Sequence, residues 1–240
     1  MKRHEKHHEQ SIAVYPGSFD PITKGHLNVL ERALSLFDHV IMLVAANPKK
    51  EDGLFTPEAR LRLIREATAH LGEGKSPYRR WNHRPMDRLN AEVVWLEGYS
   101  EAFGGLSEAR RVPDVSELFA PDVDPKVGEG FAEIEPHTDL VTVAWLKTVA
   151  TVDFCEAVGA RAMIRGLRSV TDFDQEFELA IANMELAEQI ETIFMVPRPE
   201  NHFVSSSKVR EIVELRGAEA IARYVPEPVY EALRIWCARP

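Results

Sequence analysis

SIAVYPGSFDPITKGHLNVLERALSLFDHVIMLVAA, residues 11–46, holds two short apolar runs with an amphipathic stretch between them. The runs, 11–15 and 39–46, are rich in β-branched residues and do not alternate with polar ones, as strands buried on both faces should read. Between them Leu27, Leu30, Leu34 and Phe37 recur at helical spacing. Strand, helix, strand implies parallel strands and a right-handed crossover. The turn from Pro16 to His26 is unusual for such a unit. It packs two glycines, two prolines, an aspartate and a histidine into the step from strand to helix.

The same alternation governs most of the chain. Residues 55–71 read as a helix with Thr56 as N-cap, Pro57 at the first helical position, and Leu61, Ile64 and Leu71 on its apolar face. Past Gly72 the pattern is irregular until about 139. Then follow a strand (139–146), a short helix closed by Gly159 (151–160) and a strand (161–167). Next come a helix with Phe173, Phe177, Ile181 and Met184 inward (172–187), a strand (191–197) and helices at 205–215 and 226–236. The expected fold is a doubly wound, Rossmann-like α/β domain with a parallel five-stranded sheet and helices on both faces. It would span 11–236 as a single domain, interrupted by an irregular insertion at about 73–138. No internal repeat is present.

Composition narrows the function. A net charge of −9 over 240 residues argues against general nucleic-acid binding, which needs a basic surface. Any anion chemistry must come from a local cluster. Cys155 and Cys237 are far apart and form no CxxC, so reduced thiols and a cytoplasmic setting are expected. No apolar run approaches the roughly 18 residues of a membrane span, so no membrane partner is expected. The charged start MKRHEKHHEQ reads as a disordered or tag-like tail rather than a signal peptide, with adventitious metal binding at His4, His7 and His8 as the other reading.

In doubly wound sheets ligands bind beyond the carboxyl ends of the strands. Four loops there carry distinctive residues. Gly17, Ser18, Phe19 and Asp20, with Thr23, Lys24, Gly25 and His26, lead into a helix N-terminus, where unpaired N–H groups and the helix dipole attract anions. Read alone, this is either a phosphate turn or a Gly/Pro turn with a capping His. Lys49 and Lys50 follow the second strand, as ligands or as solvated loop residues. Arg165 and Arg168 flank Gly166 at a strand end, and each offers a planar fork of donors suited to phosphate. Ser205, Ser206 and Ser207 open a helix ahead of Lys208 and Arg210, as hydroxyl donors or as ordinary N-caps. Neither the G-x-S-x-G elbow nor the G-x-x-x-x-G-K-[ST] loop is present. The set suits transfer between phosphates by positioning and charge stabilisation, without a covalent enzyme intermediate.

YPGSFDPITKGH, ANPKK with LFTPEAR, GARAMIRGLRSVTDFDQEFELAIANMEL and FVSSSKVRE occur in that order. Together they closely resemble the bacterial phosphopantetheine adenylyltransferase family of the nucleotidylyltransferase superfamily. The resemblance covers about 11–71 and 139–236. It implies transfer of the adenylyl group of ATP to 4′-phosphopantetheine, giving dephospho-CoA, the precursor of CoA, and pyrophosphate, with Mg²⁺ accompanying ATP. By the same resemblance His26, Lys50 and Arg165 are the catalytic residues, His26 stabilising charge on the α-phosphate. Ser18, Lys49, Lys50, Thr151 and Arg165 are implied to bind the acceptor. Gly17, Ser18, Phe19, His26, Arg168, Glu176, Ser205, Ser206 and Ser207 are implied to bind ATP. No protein-held metal ligand is implied. The family assembles as hexamers, so a homo-oligomer is expected.

Two departures stand out. The lysine loop is one residue longer than the family's spacing, so Lys49 and Lys50 could exchange roles. The insertion is basic at first (Lys75, Arg79, Arg80, Arg84, Arg88) and acidic later (Asp114, Glu117, Asp122, Asp124, Glu129, Glu133, Glu135). It is either a surface excursion without a catalytic part, or a lid or docking surface that could remodel the hexamer contact. Within it AEVVWLEGY (91–99) is either an extra strand or the sheet strand otherwise assigned to 139–146. A sister adenylyl- or cytidylyltransferase, or a nucleotide- or CoA-binding regulator without turnover, are the competing functions.

Overall fold

The computed structural model describes residues 11–45, 53–71, 132–136, 141–146, 150–201 and 204–238. In chain order the elements are β1 (Ile12–Gly17), α1 (Lys24–Ala33), β2 (His39–Ala45), α2 (Pro57–Thr68), β3 (Ala132–Pro136) and β4 (Val141–Leu146). They continue with α3 (Thr151–Ala157), β5 (Ala162–Gly166), α4 (Val170–Leu186), β6 (Glu191–Met195), α5 (Ser206–Arg216) and α6 (Glu227–Cys237).

Five strands run parallel, as expected, in the order β4-β2-β1-β5-β6. A sixth was not foreseen: β3 lies within the stretch read as irregular insertion, yet pairs antiparallel with β4, Ile134 opposite Ala144. Its sequence AEIEP carries no apolar run, so periodicity could not reveal it. The pairing of Val141–Leu146 with β2 identifies this segment as the sheet strand. Residues 91–99 lie outside the described residues, as do the tail 1–10 and most of the insertion.

Alternation along the strands divides the core. Ala13 and Tyr15 of β1, Val40, Met42 and Val44 of β2, and Ile164 of β5 face one layer with Leu30, Ile64, Val209, Val213 and Leu233 of α1, α2, α5 and α6. Val14, Ile41, Leu43 and Met163 face the other, with Val152, Phe154 and Cys155 of α3. Helices therefore cover both faces. Thr56 caps α2 by accepting from Ala59 N–H, with Pro57 at the first position, and Gly159 ends α3's turn at φ 69°. No helix among the described residues is long and apolar enough to cross a membrane.

One helix overturns the reading of its apolar stripe. Phe173, Phe177, Ile181 and Met184 of α4, expected inward, are exposed, Phe177 by 48% and Met184 by 55%. The helix instead turns Asp172, Glu176, Ala180 and Asn183 toward the domain, followed by Ala187 beyond its end. The physical reason is polar. Glu176 pairs with Arg165 on β5, and Asn183 Nδ2 donates to Met163 Sδ at 3.7 Å. Rotating the phenylalanines inward would break that ion pair.

Candidate active site

After β2 and β4 the chain returns to the far side of β1 and adds β5 there, so strand order reverses between β1 and β5. The crevice beyond these two carboxyl ends is the expected ligand position in such a sheet.

From β1, Gly17 leads into Ser18 and Phe19. Phe19 is buried in the left-handed region (φ 43°), and its ring lies where a side chain on Gly17 would be: a Cβ there would sit 2.9 Å from Phe19 Cζ. The absence of a side chain at Gly17 thus makes room for the aromatic ring. That ring meets Tyr15 edge-on (centroids 5.4 Å) and His26 edge-on (5.1 Å). Gly25 permits a second close approach, since a Cβ there would lie 3.4 Å from the carbonyl oxygens of Asn201 and Val204, just ahead of α5.

His26 sits in the first turn of α1. Its N–H donates to Thr23 Oγ1, and Thr23 N–H donates to His26 Nδ1 at 3.1 Å, a reciprocal capping box. Because Nδ1 accepts a backbone N–H, the ring proton of the neutral imidazole belongs on Nε2, which has no partner among the described residues. Desolvation, with Arg168's positive charge second, pushes the His26 pKa down to about 3. At neutral pH His26 is therefore an uncharged donor at the positive end of a helix.

Asp20, which is 3% exposed, organises the turn. Its carboxylate accepts Leu54 N–H and Phe55 N–H, both at 2.9 Å, and pairs with Arg60 and Arg210, each at 3.4 Å. Arg210 also donates to the Asp20 carbonyl, and Arg60 Nη1 to the Ser18 carbonyl at 3.4 Å. Arg210, read from sequence as part of an anion site, thus serves Asp20. Lys208 likewise pairs with Glu211 at 2.9 Å. Asp20 ties the first loop to the residues that follow the lysine loop. Lys49 and Lys50 themselves lie outside the described residues.

From β5 comes Arg165, held by Glu176 of α4 through Nε to Oε2 at 2.5 Å and Nη2 to Oε1 at 2.7 Å. Arg168 pairs with Asp172 at 3.5 Å, and Ser169 caps α4. Among the serines, Ser205 Oγ caps α5 by accepting from Lys208 N–H, Ser206 Oγ donates to the Pro21 carbonyl at 2.8 Å, and Ser207 Oγ accepts from Arg210 Nη2 at 3.4 Å. Thr151 opens α3 beyond β4, on the same edge of the sheet.

Asp20 and Thr23 were read as parts of the first loop without a role of their own, and Arg60 and Tyr15 escaped sequence reasoning as site residues. Asp20 was visible in the odd turn, but its arginine partners are 40 and 190 positions away. Among the described residues no group of three or more His, Cys, Asp or Glu side chains is placed to hold a metal ion. The carboxylates nearest the crevice, Asp20, Asp172 and Glu176, are all engaged by guanidinium groups. A magnesium ion ligated by these side chains therefore does not fit.

A family described as cytidylyltransferase-like matches residues 14–212. Similar solved structures include the Plasmodium falciparum nicotinic acid mononucleotide adenylyltransferase complexed with NaAD, at 13% identity over 96% of this chain and 97% of that one, TM-score 0.47. Another is the lipopolysaccharide core biosynthesis protein from Thermoplasma volcanium, at 13% identity over 79% and 98%, TM-score 0.39.

Proposed function

The chain belongs to the cytidylyltransferase-like family, and on that premise we propose that it transfers the adenylyl group of ATP to 4′-phosphopantetheine. An oxygen of the acceptor's phosphate attacks the α-phosphorus in line. The bond from that phosphorus to the β-phosphate oxygen breaks, and dephospho-CoA and pyrophosphate leave. Little covalent chemistry falls to the protein, so its task is orientation and stabilisation of developing charge.

The observation that carries this reading is the fixed tautomer of His26. Thr23 N–H occupies Nδ1, which leaves Nε2–H free to donate at the N-terminus of α1 beside the switch point. A neutral, preorganised donor of this kind can stabilise an α-phosphoryl oxygen as charge builds, without proton transfer. Arg165 and Arg168 supply positive charge from the β5 side. Glu176, although assigned to the nucleotide by resemblance, acts in this reading by fixing Arg165. Ser18, Phe19 and the serines of α5 line the nucleotide side, Thr151 the acceptor side, and Lys49 or Lys50 the space between the phosphates. Mg²⁺, in this reading, arrives bound to the phosphates of ATP. Assembly as a homo-oligomer is part of the same proposal.

Pyrophosphate release from ATP tests the reading, with 4′-phosphopantetheine, nicotinamide mononucleotide or no acceptor present. Turnover is expected only with the first. Turnover with nicotinamide mononucleotide alone would overturn it, and binding without turnover of either would favour a regulator.

A further inference from the structure

Tyr15 is 4% exposed and stands on β1, near the carboxyl end that borders the crevice, yet its hydroxyl has no hydrogen-bond partner among the described residues. Leaving a buried hydroxyl unpaired is costly, and phenylalanine would fill the same volume without that cost. The ring is well fixed, perpendicular to Phe19 at an interplanar angle of 87° and tilted 59° to His26. The hydroxyl emerges at the end of β5: a Cβ built on Gly166 would lie 3.4 Å from it, so the glycine leaves the oxygen its space. Arg165 and Arg168 flank that glycine.

We propose that the Tyr15 hydroxyl is a substrate-contacting donor, hydrogen-bonding an oxygen of the acceptor's phosphate monoester when it binds at the β1/β5 switch point. The inference rests on the adenylyl-transfer reading above and deepens it. Three observations converge on a phosphate. The donor is buried without a partner among the described residues, a glycine makes room for its oxygen, and the guanidinium groups of Arg165 and Arg168, each paired with a carboxylate of α4, lie beside it. Burial pushes the phenol's pKa up, against the opposing pull of Arg165 and Arg168, so the proton stays on oxygen and the group donates at neutral pH. The Tyr15 and His26 rings are 6.4 Å apart, which suits two donors serving adjacent phosphates, Tyr15 on the acceptor and His26 on the α-phosphate.

The test is Tyr15→Phe in the full chain, which removes one oxygen and keeps the ring contacts. The kcat/KM for 4′-phosphopantetheine is expected to fall about tenfold or more, the scale of a hydrogen bond to a charged group. The Kd for ATP should stay within about twofold, and the melting temperature should hold or rise, because a buried unpaired hydroxyl is gone. Acceptor kinetics within about twofold of wild type would overturn the proposal and leave Tyr15 a core residue. If wild type itself releases no pyrophosphate with this acceptor, the functional reading fails separately. Titration of both proteins with inorganic phosphate then decides Tyr15: weaker binding by the variant supports the contact, and equal affinity removes it.

Discussion

Arg165 and Glu176 meet fork to fork, Nε to Oε2 at 2.5 Å and Nη2 to Oε1 at 2.7 Å, across the gap between the end of β5 and the second turn of α4. Both side chains are largely shielded, at 24% and 20% exposure. The geometry fixes the plane of the guanidinium, and Nη1 has no partner among the described residues. It also sets the roll of α4, because the carboxylate reaches Arg165 only with the phenylalanines outside.

Glu176→Gln should therefore act on the acceptor step more than on folding. The amide keeps the shape but loses the charge and one half of the bidentate contact. Stability should change by no more than about 1 kcal/mol, as for other partly exposed pairs. The kcat/KM for the acceptor should drop about tenfold, with the KM for ATP nearly unchanged. A selective rise in the KM for ATP would instead return Glu176 to a direct nucleotide contact.

His26→Ala removes the Nε2–H donor but not the helix start, since Thr23 Oγ1 still caps through the backbone N–H of residue 26. A preorganised donor to developing charge is worth about 10²–10³ in kcat. We expect a loss of that size with circular dichroism little changed and a stability loss of about 1–3 kcal/mol, because Thr23 N–H loses its acceptor and the ring leaves Phe19 and Tyr15. A kcat close to wild type would remove His26 from the chemistry.

Features set by short stretches of chain were legible in advance. The β1-α1-β2 unit and the Thr56-Pro57 start of α2 each depend on a few adjacent residues and formed as read, and of the two readings left open for Ser205 the structure shows the N-cap of α5. The rest depended on partners distant in sequence. Periodicity showed that α4 has an apolar stripe and a polar one, but which faces the domain was decided by Arg165 and Met163 on a neighbouring strand. Tyr15 read as one more strand residue, because the Gly166 that gives its hydroxyl room is 151 positions away. Gly17 and His26 stood out by residue type, while the ring of Phe19 packed beside Gly17 depends on the left-handed backbone at Phe19.

Asp20→Asn should cost about 3 kcal/mol of stability. The change leaves two guanidinium groups, with side chains only 14% and 22% exposed, without a compensating charge, and breaking a buried pair from one side carries a penalty of this order. Urea unfolding monitored by tryptophan fluorescence would measure it. A loss below about 1 kcal/mol would mean that Arg60 and Arg210 reach water easily, and that Asp20 does not hold the two loops together.

Stability should also fall as pH drops through the ordinary histidine range, and His26 should account for part of the fall. Its pKa is about 3 in the folded chain against 6.5 for the unperturbed group. Between those values the unfolded chain takes up a proton that the folded chain refuses. Protonation therefore pulls the equilibrium toward unfolding below about pH 6.5, and this contribution is absent above it. The same depressed pKa keeps the ring neutral during turnover, so the kcat profile should show no limb from His26 near 6.5. Other groups titrate in that range, and comparing wild type with His26→Ala isolates the residue. The difference in melting temperature between pH 7.5 and pH 5 should be smaller in the variant. An equal pH dependence in both proteins would show that His26 is protonated as readily folded as unfolded, and the neutral-donor role assigned to it would fall.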